Sequence, residues 1–215
     1  MHEYVKSLAI KSAENAVPED LIALRNEYRS RGIATILTES LNSLILVAKL
    51  VKPKKILEFG TSVGCSGIAL LNACPEATLY TIERYRPAED EAMKNFKKFQ
   101  VNSRVFTFFG EATEVVGEVG DGFDFVFLDC NKSKYKDLLP KIDAAYYAQA
   151  LKLVEDGEYD KATEIFAKLG EYEDCPTQLL RIHALKAEQY YNNADYENAI
   201  AEFKAADDYG DAASR

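Results

Sequence analysis

The stretch Lys54–Gly67, KKILEFGTSVGCSG, restricts the fold of this 215-residue chain more than any other. An apolar run, Ile56-Leu57-Glu58-Phe59, stops at Gly60. Gly60 and Gly64 bracket a short turn, and Ser66-Gly67-Ile68-Ala69-Leu70-Leu71 reads as the opening of a helix. A short apolar run closed by glycine and followed by a helical pattern is a strand, a tight turn and a helix. Glycine at the turn admits positive φ and lets a ligand approach the backbone without meeting a Cβ. The helix start behind it offers unpaired N–H groups. The spacing is G-x-x-x-G, so it is neither the G-x-G-x-x-G of dinucleotide sites nor a P-loop, which needs Lys-Ser/Thr at its end. Glu58 is the unusual residue: a carboxylate inside an apolar strand costs desolvation unless it has partners.

Around this stretch the pattern alternates. Ahead of it, residues 3–16 read as an amphipathic helix, Leu21–Arg31 as a second and Leu41–Leu50 as a third with a broad apolar face, closed by Pro53. Strands are predicted at 55–59, 78–83, 104–109 and 123–128. Helices separate them at about 66–73, 87–99 and 112–119, the second with acids 89–91 early and lysines 94, 97 and 98 late, as the helix dipole prefers. Strands spaced by helices imply right-handed crossovers and a parallel, doubly wound sheet with helices on both faces.

Ligands of such sheets bind outside the carboxyl ends of the strands. Glu83 closes the second strand about 20 residues past the glycine turn, where an acid accepts ribose hydroxyls of an adenosine; alone, it also reads as a cap on the next helix. Asp129 ends the fourth strand, FVFLD, and Lys132 follows in a lysine-rich turn, Lys132-Ser133-Lys134-Tyr135-Lys136, which by itself reads as a solvated surface turn.

E-x-G-x-x-x-G with the acid in the strand resembles motif I of class I S-adenosylmethionine-dependent methyltransferases. FVFLD-x-x-K-x-x-Y resembles their divalent-metal-dependent O-methyltransferases, of the catechol and caffeoyl-coenzyme A types and bacterial relatives. The likeness runs in order from about Leu8 to Ile142 and includes Val17-Pro18 and Glu39. It implies a sheet of order 3-2-1-4 and a cofactor site for S-adenosylmethionine at Glu58, Gly60, Thr61, Ser62, Gly64, Ser66, Glu83, Arg84, Gly110, Glu111, Ala112 and Asp129. It further implies Asp129 as a ligand to a divalent metal such as Mg²⁺ and Lys132 as general base toward an acceptor hydroxyl. A lysine works as a base only where burial or a nearby cation depresses its pKa.

The family pattern would continue with a Pro-Gly-Gly type turn and a fifth strand ending in Asp-Asn, the other metal ligands. After Asp143 neither is present, and Ala144–Val154 is helical in period. The Rossmann-like sheet is therefore expected to be incomplete, the metal site short of ligands and methyl transfer impaired. Beyond it the chain repeats: Tyr159/Tyr196, Ala162/Ala199, Phe166/Phe203, Tyr172/Tyr209 and Asp174/Asp211 all share an offset of 37. This resembles tetratricopeptide-type helical hairpins. The expected organisation is a methyltransferase-like domain over 1–143 and two all-α hairpins over 144–215, a fusion or chimera. Charge divides likewise, with 19 Lys+Arg against 20 Asp+Glu in 1–143 and 7 against 15 in 144–215. An acidic tail disfavours nucleic acid.

Cysteines 65, 74, 130 and 175 have no C-x-x-C spacing and the two histidines lie far apart, which argues against a zinc site or disulfide framework. No leader or membrane-length apolar run is read, so the expected setting is cytoplasmic and soluble. Two functions compete. One is methyl transfer to a hydroxyl of a small aromatic or diol acceptor. The other is a binding or scaffold protein that works through its helical repeats or self-associates there; the open edge of the fourth strand is expected to be covered by the hairpins or else to pair with a second chain.

Overall fold

In the computed structural model, which describes residues 17–120 and 122–206, the alternation becomes a four-stranded parallel sheet. The elements in order are α1 (Glu19–Ser30), α2 (Thr38–Val51), β1 (Lys55–Phe59), α3 (Cys65–Ala73), β2 (Thr78–Glu83), α4 (Arg86–Lys98), β3 (Val105–Phe109), α5 (Ala112–Val115) and β4 (Phe125–Leu128). Four helices follow: α6 (Tyr135–Glu155), α7 (Tyr159–Leu169), α8 (Cys175–Asn192) and α9 (Tyr196–Ala205). The helix read over residues 3–16 and the repeat partners Tyr209 and Asp211 lie outside the described residues.

Strand order is β3-β2-β1-β4, as the resemblance implies, with β4 at an edge. Ile56 pairs with Leu79 and with Phe125, and Glu58 with Thr81 and Phe127. The chain divides into two compact units between Leu138 and Leu139. In the first, one core joins Leu21, Leu24 and Tyr28 of α1, Leu41, Leu44, Ile45 and Ala48 of α2, Ile56, Leu79, the apolar residues of α3, and Phe96. That is the i, i+3, i+4 face that the sequence of α2 displays. On alternate strand positions Tyr80 stacks on Phe106 at 5.0 Å and stands edge-on to Phe123, and Lys55 Nζ lies 4.8 Å from the Tyr80 ring centre. Gly67 lets α3 lie close on the sheet: a Cβ there would meet Leu79 Cδ2 at 2.6 Å.

After β4 only helices follow among the described residues. α6 begins nine residues before Ala144, where the helical period was read, because Pro140 in its second turn does not end it. Asn131 opens that run instead, its Oδ1 accepting from Ser133 N at 3.1 Å.

The second unit is periodic in backbone as well as in sequence. α6 and α8 end at Glu155 and Asn192, and α7 and α9 begin at Tyr159 and Tyr196. Gly157 (φ 79°) and Ala194 (φ 59°) are both left-handed, and Glu158 and Asp195 after them share φ near −85° and −89°. Its core gathers Ala150, Val154, Ala162, Phe166, Cys175 and Ile182. Tyr147 stands edge-on to Phe166 and Tyr172, and its hydroxyl donates to Asp174. No helix among the described residues is long and apolar enough to cross a membrane.

Candidate active site

The carboxyl ends of all four strands open on one cleft of about 640 Å³, within the size range of small-molecule sites. β1 delivers Gly60, Thr61 and Ser62 to its wall, and the start of α3 adds Ser66. β2 delivers Glu83 and Arg84, the turn after β3 delivers Gly110, Glu111 and Ala112, and β4 ends in Asp129 with Lys132 beyond. These residues, spread over 73 positions from 60 to 132, are thus brought together.

The backbone explains the convergence. Gly60 N and Thr61 N donate to Ile82 O at 3.0 and 3.3 Å, and Gly110 N donates to Glu83 O at 2.9 Å, so both loops continue the pairing past the strand ends. Asp129 N donates to Phe59 O at 2.9 Å and holds the end of β4 against β1. Gly60, at φ 101°, is required there, since a Cβ would lie 2.8 Å from the Asp129 carbonyl oxygen.

Glu83 is held by main chain. Its Oε2 accepts from Ser62 N at 2.8 Å, and its Oε1 accepts from Arg84 N and Tyr85 N, both at 2.9 Å. An ionised carboxylate has about four lone-pair sites. Three are used, which leaves room for one further donor from the cleft. Ser62, left-handed at φ 48°, takes that conformation while serving two contacts, its N–H to Glu83 and its Oγ to Ala34 O at 3.2 Å. Arg84 Nη1 lies 3.3 Å from Glu111 Oε2, a tie between the loops after β2 and β3.

Glu58 and Gly64 do not line the cleft; they lie one layer behind it. Glu58 is fully buried. Ser66 Oγ donates to its Oε1 at 2.5 Å, and Thr81 Oγ1 donates to its Oε2 at 2.7 Å. With the Thr81 proton so directed, Thr61 Oγ1, 2.6 Å away, donates into Thr81. The strand acid is therefore partnered by the Ser66 and Thr81 hydroxyls; Ser66 is itself a wall residue, and Thr81 links the acid to the wall residue Thr61. Burial pushes Glu58 up to about 7; the Ser66 and Thr81 hydrogen bonds oppose this, and the charges of Asp129 and Glu83 add to it. Gly64, at φ 85°, turns the chain against Phe96.

Asp129 is exposed, with its pKa raised by partial burial and drawn back by the neighbouring Lys132 ammonium. Lys132 is exposed rather than buried. Among the described residues no group of three or more His, Cys, Asp or Glu side chains stands close enough to hold a metal ion. Asp129 by itself does not make the divalent site that the resemblance implies.

Several wall residues carried no sequence signal. Ala34, Thr35, Ile36 and Leu37, between α1 and α2, close one side. They are fixed by Ser62 and by the buried Arg25, whose Nε donates to Ile36 O at 2.7 Å. Cys65, Phe127, Cys130 and Asn131 complete the neighbourhood of Ser66 and Asp129.

The model of the O-methyltransferase family matches residues 12–170, more than half of the chain. The chain belongs to the O-methyltransferase family. The match runs past Ile142, where the likeness read from the sequence stops, through α6 and α7. Among curated relatives, a catechol O-methyltransferase of Niastella koreensis is 30% identical over 144 residues, 64% of this chain and 62% of the relative. A caffeoyl-CoA O-methyltransferase of Stellaria longipes is 25% identical over 166 residues, 73% of this chain and 64% of the relative. The chain thus spans less than two thirds of the length of these relatives. Of solved structures, the SAM complex of the O-methyltransferase TomG from Streptomyces achromogenes aligns with a TM-score of 0.57 at 25% identity, over 65% of this chain and 66% of that one. The SAH-bound methyltransferase PaMTH1 of Podospora anserina aligns with a TM-score of 0.60 at 24% identity, over 66% and 64% respectively, and so shares the fold.

Proposed function

We propose that the cleft binds S-adenosylmethionine and that the chain transfers its methyl group to a hydroxyl of a small aromatic or diol acceptor. One observation carries this reading: the glycine turn after β1, the Glu83 carboxylate after β2, Gly110-Glu111-Ala112 after β3 and Asp129 after β4 share a single hollow. Names of relatives support it, as does TomG, whose structure holds SAM. The donor set suits the cofactor. Glu83 has acceptor capacity for one ribose hydroxyl, and Gly60, Thr61 and Ser62 present main chain without a bulky side chain at the turn.

When bound, the cofactor supplies an electrophilic methyl on sulfur. Ser62 and Glu83 would orient the sugar, Arg84 and Glu111 would flank the base, and Ser66, held by Glu58, and Thr61, held by Thr81, would fix the wall near the methionine end. Lys132 Nζ is the candidate to take the acceptor proton. The part of unit two that resembles tetratricopeptide hairpins supplies a separate surface.

The exposure of Lys132 and the missing ligand cluster favour a second reading, in which the cleft holds the cofactor with little turnover. Methyl transfer from S-adenosylmethionine to catechol, followed by mass spectrometry with and without Mg²⁺, separates the two. Product that disappears in Lys132→Met while cofactor binding persists supports the transferase. Cofactor binding without product under either condition supports the binding protein.

A further inference from the structure

The turn between β1 and α3 is held from three sides. Gly64 N donates to Thr61 O at 2.9 Å and closes it, with Ser62 left-handed at φ 48° and Gly64 at φ 85°. A residue other than glycine keeps such a backbone only where its surroundings hold it there. Two of the holds are on cleft residues: Glu83 Oε2 accepts from Ser62 N, and Ala34 O accepts from Ser62 Oγ. The third comes from behind. Asn95, on α4, is 5% exposed and is not a wall residue, and its Nδ2 donates to Val63 O at 2.9 Å. Val63 is a wall residue and is 1% exposed. A buried carbonyl left without a donor costs its desolvation.

The aim of the Asn95 amide is set from the surface. Its Nδ2 also donates to Tyr28 Oη at 3.1 Å, and Tyr28 Oη donates to Glu91 Oε2 at 2.7 Å. An ionised carboxylate only accepts, so the Tyr28 proton goes to Glu91 and a lone pair of the Tyr28 oxygen faces Asn95. Asn95 must therefore turn its NH2 group to this side, and the second N–H of that group meets Val63 O. Lys94 Nζ lies 2.6 Å from Glu91 Oε1, and this bond, helped by that from Tyr28, draws the Glu91 pKa below its ordinary value. Phe96, next along α4, already touches the turn: a Cβ on Gly64 would meet its ring at 3.0 Å.

We propose that Asn95 is a positioning residue for the cofactor turn, acting through the Val63 carbonyl to fix the backbone on which S-adenosylmethionine rests; this deepens, and rests on, the cofactor reading above. Tyr28 separates positioning from mere support. Tyr28→Phe removes the tie between α1 and α4 and leaves the bond to Val63. Asn95→Leu removes both, keeps the branched shape of the side chain and offers no N–H. Asn95→Ala removes both and the shape as well.

The test titrates S-adenosylmethionine into the full chain and the three variants by calorimetry, with urea unfolding of each protein measured without ligand. Tyr28→Phe is expected to lose stability and keep its affinity within about twofold. Asn95→Leu and Asn95→Ala are expected to bind at least fivefold more weakly under conditions where both are folded, a change that a purely supporting side chain would not produce. Faster hydrogen exchange at Ser62 N and Gly64 N in Asn95→Leu, with β1 unchanged, is expected beside it. Equal affinity of the parent and the Asn95 variants overturns this inference alone. So does an equal loss in Tyr28→Phe, which makes the seam between α1 and α4 the cause. Failure of Asn95→Leu to fold overturns it too, since the amide then serves the fold. A parent that binds no cofactor overturns the cofactor reading and this inference with it.

Discussion

Replacing Glu58 by glutamine tests the buried end of the hydroxyl network. Glu58 has no exposure, and its pKa stands at about 7 against an ordinary 4.5. The folded chain therefore holds this proton more tightly than the unfolded chain. Its contribution to stability is complete below pH 4.5 and is lost as pH rises through about 7. At 1.36 kcal/mol per pH unit the loss amounts to about 3 kcal/mol. Glutamine cannot ionise, yet it fits the same partners. Its carbonyl accepts from Ser66 and its amide donates to Thr81, whose hydroxyl then turns to Thr61. Urea unfolding followed by circular dichroism from pH 4.5 to 8 gives the difference between variant and parent. That difference is expected to move by about 3 kcal/mol in favour of Glu58→Gln as pH rises. A difference that stays flat across this window would mean that Glu58 titrates like a solvated acid, and the account of its burial would fail.

Further outcomes follow from the geometry. Gly67→Ala places a methyl 2.6 Å from Leu79 Cδ2 and is expected to lower stability by about 1–3 kcal/mol in the same unfolding assay. Ala194→Gly relieves a left-handed alanine at φ 59° and is expected to raise the stability of the second unit by about 0.5–1 kcal/mol, read by hydrogen exchange of α8 and α9. Lys132→Met is expected to remove methyl transfer and leave cofactor affinity within about twofold, in paired turnover and binding measurements.

Much of the first unit was legible because its signals are local. β1 and β2 match the apolar runs at 55–59 and 78–83, and the glycine turn, Glu83 and Asp129 stand at strand ends where any doubly wound sheet binds ligands. The wall at Ala34–Leu37 was not legible. It contributes mainly backbone, and only the long-range bonds from Ser62 and Arg25 bring it to the cleft. The setting of Glu58 was half legible. A lone acid in a strand demanded partners, but nothing local named Ser66 and Thr81, which reach it from α3 and β2. The start of α6 was only partly legible: the helical period is plain from Ala144, whereas the turns before it, with Pro140 inside the helix, carry no such period.

Calorimetric titration of S-adenosylmethionine into the full chain and into Glu83→Ala bears most directly on the cleft. The expected result is one site per chain, weakened at least tenfold when the carboxylate that accepts Ser62, Arg84 and Tyr85 is removed. No heat of binding at millimolar ligand, or equal affinity in the two proteins, would contradict it.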